Sequence, residues 1–269
     1  MAGFLIVNPR SGDEGPTAEE LVAEARRRGI EPYVLEAGDD AAAAARAARA
    51  DALGMAGGDG SLGTVAQVAI ERGLPFVCVP YGTRNHFARD LGLYRDDPVG
   101  ALDAFAHRRE RIVDVGHIGA GRVFLNNVSV GVYARIVHRR EHHRRRRDTL
   151  ARARAIALAL GERHPEPILV DGTPVAARVL LVANNAYELD VFNIGERARL
   201  DEGKLHAYIA EDWLPRTWHE RVAESFHLGG ADGNLRAAVD GEPVELDSPI
   251  ELRIAPRALH VLLPRQRES

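Results

Sequence analysis

The segment Gly57-Gly58-Asp59-Gly60-Ser61 carries residue types that could do chemistry. It falls between a strand-like run, Asp51–Ala56, and a helical stretch from about Ser61 to Arg72. Glycines let a backbone approach a ligand closely, and the N–H groups that open a helix attract anions, so phosphate is the natural ligand. A plain strand-to-helix turn with an Asp cap would use the same residues. The order is neither the dinucleotide fingerprint nor Walker A, because G-x-G-x-x-G and the Gly-Lys-Ser/Thr ending are both missing. A second turn, Pro80-Tyr81-Gly82-Thr83-Arg84-Asn85-His86-Phe87-Ala88, also follows an apolar run and opens a helix. Taken alone, Gly82 need only turn the chain, and Thr83 or Asn85 need only cap the helix. In a parallel sheet both turns would lie at the carboxyl ends of strands, where ligands bind, and together they favour a nucleotide. Far downstream, Asp240-Gly241-Glu242 offers two carboxylates, although by itself an Asp-Gly pair between alternating segments is a hairpin turn.

The elements needed to position these residues can be read in order. Phe4–Val7 is a short apolar run that ends in the turn Asn8-Pro9-Arg10-Ser11-Gly12. Thr17 and Glu20 form a capping box for a helix carrying Leu21, Val22 and Ala25, which Gly29 ends. Tyr33–Leu35 is a second strand, Asp40–Ala50 an Ala-rich helix, and Pro75–Pro80 a further strand. Strands separated by helices imply a parallel sheet with covered faces. From Val113 the pattern changes to short apolar segments: Arg122–Leu125, Ile168–Val170, Ala177–Ala183, Leu205–Ala210, Leu235–Val239, Ile250–Ile254 and Leu259–Leu263. Asp171-Gly172 and Asp240-Gly241 mark tight hairpins, and one helical stretch, about Arg135 to Glu162, interrupts the region. The expected architecture is an α/β domain followed by a mainly antiparallel β domain, with a boundary near Asp114.

Composition narrows the class. The 269 residues are 45% hydrophobic and 28% charged, which is globular, and the net charge of −4 gives no general basic excess for nucleic acid. Cys78 is the only cysteine, so neither a disulfide framework nor a Cys-based zinc site is expected. No apolar stretch approaches the ~20 residues of a membrane span. The N-terminus has no basic region ahead of its apolar run, so it does not read as a signal peptide. A cytoplasmic protein is expected, with any membrane contact peripheral. One local excess stands out: His138–Arg147 holds six Arg and a single Glu. Such a run is usually a solvated helix face, but near an anionic leaflet each Arg would contribute about 1 kcal/mol.

The motifs taken together resemble the diacylglycerol kinase catalytic-domain family, which includes sphingosine, ceramide and bacterial lipid kinases. The resemblance is carried by Val7-Asn8-Pro9-Arg10-Ser11-Gly12, the Gly57–Ser61 turn, Pro80–Arg89 and Val239-Asp240-Gly241-Glu242-Pro243, in that order. Phe124–Gly131 and Ala198-Arg199-Leu200-Asp201-Glu202-Gly203-Lys204-Leu205 also fit. NAD kinases and phosphofructokinases share a Gly-Gly-Asp-Gly turn, whereas Asn-Pro-x-Ser-Gly and the late Asp-Gly-Glu favour the lipid kinases.

The resemblance implies residues 1–114 as a nucleotide-binding domain with a parallel sheet, on which 257–269 packs back. It implies 115–256 as an antiparallel β-sandwich for the lipid, with ATP in the cleft between them. Asn8, Pro9, Arg10, Ser11, Gly12, Gly57, Gly58, Asp59, Gly60, Ser61, Leu62, Gly63, Thr83 and Asn85 would bind ATP. Glu242 would be the proton acceptor, with Asp59 and Asp240 as further catalytic carboxylates. Arg199, Glu202, Lys204 and Asp114 would hold Mg²⁺. The implied activity is ATP-dependent phosphorylation of diacylglycerol or a related lipid. The alternatives are a sphingoid-base or other lipid-alcohol kinase, or a catalytically silent nucleotide- or lipid-binding module. The acceptor lies in a bilayer, so Arg139–Arg147 are expected to touch an anionic membrane, and assembly into a homodimer is left open. Three positions depart from the family pattern: His86 and Glu202 stand where relatives usually have Asp, and Val34 lies near a common Thr position.

Overall fold

The computed structural model describes residues 2–12, 15–82, 85–106, 108–131, 167–190, 193–194, 196–210, 219–230 and 233–265. The elements of the first part are β1 (Gly3–Val7), α1 (Ala18–Arg27), β2 (Ile30–Val34), α2 (Ala41–Ala47), β3 (Ala52–Gly57), α3 (Asp59–Glu71), β4 (Phe76–Pro80), α4 (His86–Asp90) and α5 (Pro98–Ala101). They are followed by β5 (Arg108–Ile118), β6 (Arg122–Phe124), β7 (Asn127–Gly131), β8 (Ile168–Val170), β9 (Thr173–Val175), β10 (Val179–Asn184), β11 (Leu189–Asp190) and β12 (Asn193–Ile194). The last are β13 (Leu205–Ala210), β14 (His219–Ala223), β15 (Ser225–Gly229), β16 (Asn234–Val239), β17 (Glu242–Asp247) and β18 (Ile250–Pro264). The chain divides into two compact units, Met1–Val115 with Pro256–Ser269, and Gly116–Ala255.

In the first unit the strands run β2-β1-β3-β4-β18, all parallel, the last joined through Val261 and Leu262. Strands covered on both faces are apolar throughout rather than alternating, and every residue of β1, β3 and β4 is buried. Edge strand β2 is instead mostly exposed. Helix α1 starts at the capping box that the sequence indicates, with Thr17 accepting from Glu20 N and Glu20 from Thr17 N. Helix α3 buries Leu62, Val65, Ala66, Val68 and Ala69 and packs on β3. Each fully buried Leu or Val stabilises the unit by about 1.5–3 kcal/mol relative to exposure.

The second unit is antiparallel. One sheet runs β14-β13-β10-β7-β16-β17. Facing its core side are β15, which pairs with Ile250–Arg253 of β18 and with β8, and the β5–β6 hairpin. Val128, Leu180, Ala207 and Ala237 from the first layer and Val170, Phe226, Leu228 and Leu252 from the second share a single core. The arrangement is α/β plus a β-sandwich. Both Asp-Gly pairs form two-residue hairpins: Asp171 and Gly172 have φ of +52° and +77°, and Asp240 and Gly241 have +48° and +84°. Positive φ at both turn positions matches the twist of the flanking strands.

Two segments expected separately, Ile250–Ile254 and Leu259–Leu263, are one strand. Arg257 takes φ +53° and its N–H donates to Asp114 Oδ1 at 2.7 Å, so the backbone kinks without leaving the sheet. The helical stretch expected over 135–162 lies outside the described residues. Among the described residues, no helix is long and apolar enough to cross a membrane.

Candidate functional site

Three loops of the first unit meet at one sheet edge. Strands β1, β3 and β4 are parallel neighbours in a register that pairs Val7 with Ala56 and Gly57 with Pro80. Asn8 N donates to Ala56 O at 2.9 Å and Tyr81 N to Gly57 O at 3.3 Å, which carries the pairing into the loops. The Asn8–Gly12 loop is closed by Asn8 itself: its Oδ1 accepts from Arg10 N and its carbonyl from Ser11 N, each at 3.1 Å. Gly12 lies against the Tyr81 ring, and Tyr81 OH donates to Pro16 O at 3.0 Å. Burial, with Glu19 and Glu20 nearby, pushes the Tyr81 phenol up, which keeps it a neutral donor.

The other two turns touch through backbone. A Cβ on Gly82 would stand 2.6 Å from Gly58 Cα, so only hydrogen fits there. Gly58 is the N-cap of α3 and supplies no side chain to cap it. The amides that open this 13-residue helix therefore form an anion-attracting end beside the sheet edge. Ser61 Oγ donates back to Gly58 O at 3.3 Å. Leu62 and Gly63 are buried, so they seat the helix in the core.

Asp59 joins the two turns. Its Oδ2 accepts from His86 N at 3.1 Å and its Oδ1 from Phe87 N at 3.0 Å, so it caps α4 from another segment. Asn85, at φ +49°, accepts from Gly82 N at 3.2 Å and donates to Gly82 O at 2.7 Å. Arg95, which the sequence reading missed, brings a cation to the same turn, its Nε donating to Gly82 O at 3.2 Å. No spacing rule links position 95 to position 82. Beneath the turns, burial and then the Asp59 charge push the Cys78 thiol well up. Thr83 lies outside the described residues, as do Arg139–Arg147.

The second unit carries Glu242 as the exposed first residue of β17, paired with Val239 across the Asp240-Gly241 turn. The two carboxylates differ in role. Asp240 is buried and accepts three backbone N–H groups, from Leu125 at 2.9 Å to Oδ2 and from Asn126 and Asn127 at 2.7 and 3.1 Å to Oδ1. It holds the turn in place, and its neighbour two residues on is the one presented to solvent.

The residues expected to hold Mg²⁺ are divided between the units. Asp114 belongs to the first, where its carboxylate accepts from Arg257 N. In the second, Glu202 Oε2 accepts from Ala186 N at 3.0 Å and lies 3.3 Å from His206 Nε2. Lys204 O accepts from Asn185 N at 3.1 Å, Lys204 Nζ pairs with Glu224 and Arg199 with Asp201. Among the described residues, no group of three or more His, Cys, Asp or Glu side chains could hold a metal. The fit of this segment to a magnesium site therefore rests on the resemblance.

Comparison with known proteins finds relatives of the first unit. A family model described as the diacylglycerol kinase catalytic domain matches residues 2–118. Over this stretch the chain is similar to the diacylglycerol kinase catalytic-domain family. The stretch contains the three loops of the sheet edge, whereas Glu242 lies beyond it. A diacylglycerol kinase of Mycobacterium tuberculosis (strain CDC 1551 / Oshkosh) is 32% identical over 120 residues, 42% of this chain and 39% of that one. A diacylglycerol kinase of Bacillus subtilis (strain 168) is 31% identical over 131 residues, 45% of this chain and 43% of that one. These matches span about two fifths of the relatives' own length. A crystal structure of a diacylglycerol kinase from Bacillus anthracis str. Sterne matches the fold over 98% of this chain and 97% of its own, at TM-score 0.69 and 18% identity. At that identity the likeness shows the fold, and it extends to the second unit, which the kinase-family match leaves out.

Proposed function

We propose that this chain is an ATP-dependent lipid kinase that phosphorylates the hydroxyl of diacylglycerol or a related lipid. The observation that carries the reading is the backbone contact of Gly58 with Gly82 beside the uncapped start of α3. Glycines on both turns let a phosphate approach the backbone closely, and the N–H groups that open α3 attract its charge. In this reading the phosphates of ATP lie against Gly57–Ser61, with Asn8–Gly12, Thr83 and Asn85 completing the nucleotide contacts and Arg95 adding positive charge.

Phosphoryl transfer needs positioning and charge stabilisation more than covalent help from the protein. Mg²⁺ accompanying ATP would supply neutralisation of the phosphate charge. Glu242 takes the proton of the lipid hydroxyl as its oxygen bonds to the γ-phosphorus, and the bond to the β-phosphate oxygen breaks to leave ADP. Asp59 holds the β4–α4 turn through the His86 and Phe87 amides. That use of the carboxylate favours a positioning role over proton transfer. It also shows what the departure at His86 leaves intact, since the Asp59 contact uses the backbone of that residue. For access to its substrate, the kinase docks peripherally on an anionic membrane through Arg139–Arg147, as a cytoplasmic protein.

The test is transfer of radiolabel from [γ-³²P]ATP to a panel of lipids in mixed micelles. Labelled phosphatidic acid supports the reading. Label on a sphingoid base would move the acceptor, label on NAD would overturn it, and ATP binding without any transfer would leave a silent module.

A further inference from the structure

A buried cation in the second unit is bound to the same peptide segment as Asp240. Arg197 is 3% exposed. Burying a charge is costly unless its hydrogen bonds are made. Here its Nη1 donates to Leu125 O at 2.7 Å and to Asn184 O at 2.9 Å, and its Nη2 to Asn126 Oδ1 at 2.8 Å. The guanidinium also lies 5.4 Å from the centre of the Tyr187 ring, within cation–π range. Asn184 Nδ2 donates to Leu125 O at 3.0 Å, and Asn127 Nδ2 to Tyr187 OH at 3.1 Å.

The segment Leu125–Asn127 is thus held from two sides. Arg197 binds oxygens of Leu125 and Asn126, while Asp240 receives the N–H groups of Leu125, Asn126 and Asn127. Peptide dipoles that run from a carboxylate to a guanidinium strengthen both contacts, because hydrogen bonds to ionised groups are roughly twice as strong as neutral ones. Asp240 N donates to Asn127 O at 3.0 Å, which fixes the turn backbone as well.

We propose that Arg197 is a positioning residue for the acceptor-side carboxylate: through Leu125–Asn127 it fixes the Asp240-Gly241 turn and thereby the direction of Glu242. The proposal rests on the reading of Glu242 as the base. Only Gly241 separates Asp240 from Glu242, so a tilt of the turn is transmitted directly to the Glu242 side chain. Lysine cannot substitute, because a point ammonium does not match the planar fork that serves three oxygens on two segments.

The experiment uses the full chain with Arg197→Lys and Arg197→Met, each alone and combined with Glu242→Gln. ATP affinity, KM for ATP, kcat on diacylglycerol micelles and Tm are measured, with kinetics well below the lowest Tm. Arg197→Lys is expected to keep ATP affinity and KM within twofold while kcat falls tenfold or more. In the Glu242→Gln background the same change should leave kcat where Glu242→Gln alone puts it. Should Arg197→Met not fold, Arg197→Lys still decides. Wild-type kcat in Arg197→Lys, or the same fold loss in both backgrounds, overturns the proposal while Glu242 keeps its role. Wild-type kcat in Glu242→Gln overturns the reading of Glu242 and the proposal with it.

Discussion

Adding one methyl group at either of the two touching glycines should have opposite consequences for folding and for ligand binding. In Gly82→Ala the new Cβ would stand 2.6 Å from Gly58 Cα and 3.0 Å from both Gly58 N and Asn85 Oδ1. The first and last of these belong to groups held in place, so the turns must separate and the paired Gly82–Asn85 hydrogen bonds must loosen. Overpacking of this kind costs about 1–3 kcal/mol. At about 2–4 °C per kcal/mol, the Tm should fall by about 2–12 °C. In Gly58→Ala the nearest heavy atom is Gly82 Cα at 4.0 Å, and the φ of −87° suits any L-residue. The unliganded protein should therefore unfold within about 0.5 kcal/mol of wild type, as for an ordinary surface change. The methyl group then projects where a phosphate would have to approach, and ATP affinity should fall at least tenfold, ~1.4 kcal/mol. Differential scanning fluorimetry and titration with a fluorescent ATP analogue read the two quantities. An unchanged Tm in Gly82→Ala would refute the packing argument, and full ATP affinity in Gly58→Ala would remove the phosphate from this turn.

Three further outcomes are expected. Asp240→Asn places an NH₂ group opposite one of the three N–H donors, so urea unfolding should show a loss of about 1–3 kcal/mol; a stability equal to wild type would mean that the turn is held elsewhere. His117 has its pKa lowered by burial and then by Arg253, so the folded state keeps it neutral while the unfolded chain protonates first. The stability due to its neutral form is complete above the unfolded value of about 6.5 and is lost as pH falls through the lower folded value. His117→Gln should flatten that part of a Tm–pH curve, and an unchanged curve would count against it. Replacing Arg144–Arg147 with Gln should weaken sedimentation with anionic vesicles and reduce its salt dependence without changing ATP affinity; equal vesicle binding would leave the run a solvated surface.

Local signals in the sequence carried the first unit well, because its strands are continuous apolar runs and its helices are announced by Thr17, Glu20 and the glycine turns. The glycine loops of the candidate site were legible for the same reason, since each is a short contiguous motif. Several strands of the second unit were not. β14 is almost wholly exposed and β17 only partly covered, so neither has the apolar contrast that marks a half-buried strand. β18 read as two strands because Pro256 and Arg257 look like a break, whereas one strand runs from its pairing with β15 to its pairing with β4. Arg197 was invisible as a buried group because its partners are carbonyls 13 and 72 positions away, and an Arg beside Glu196 and Arg199 reads as surface. The different duties of Asp240 and Glu242 likewise depend on Leu125–Asn127, which lie more than a hundred residues upstream.

The central claim, transfer from ATP to a lipid hydroxyl with Glu242 as the base, is tested most directly by one comparison. Wild type and Glu242→Gln are assayed with [γ-³²P]ATP and diacylglycerol in mixed micelles, with ATP binding measured on the same preparations. The wild type should form labelled phosphatidic acid, and Glu242→Gln should do so about 10²–10⁴-fold more slowly with its ATP affinity intact. A wild type that labels no lipid, or a Glu242→Gln protein that labels it at the wild-type rate, would contradict the account.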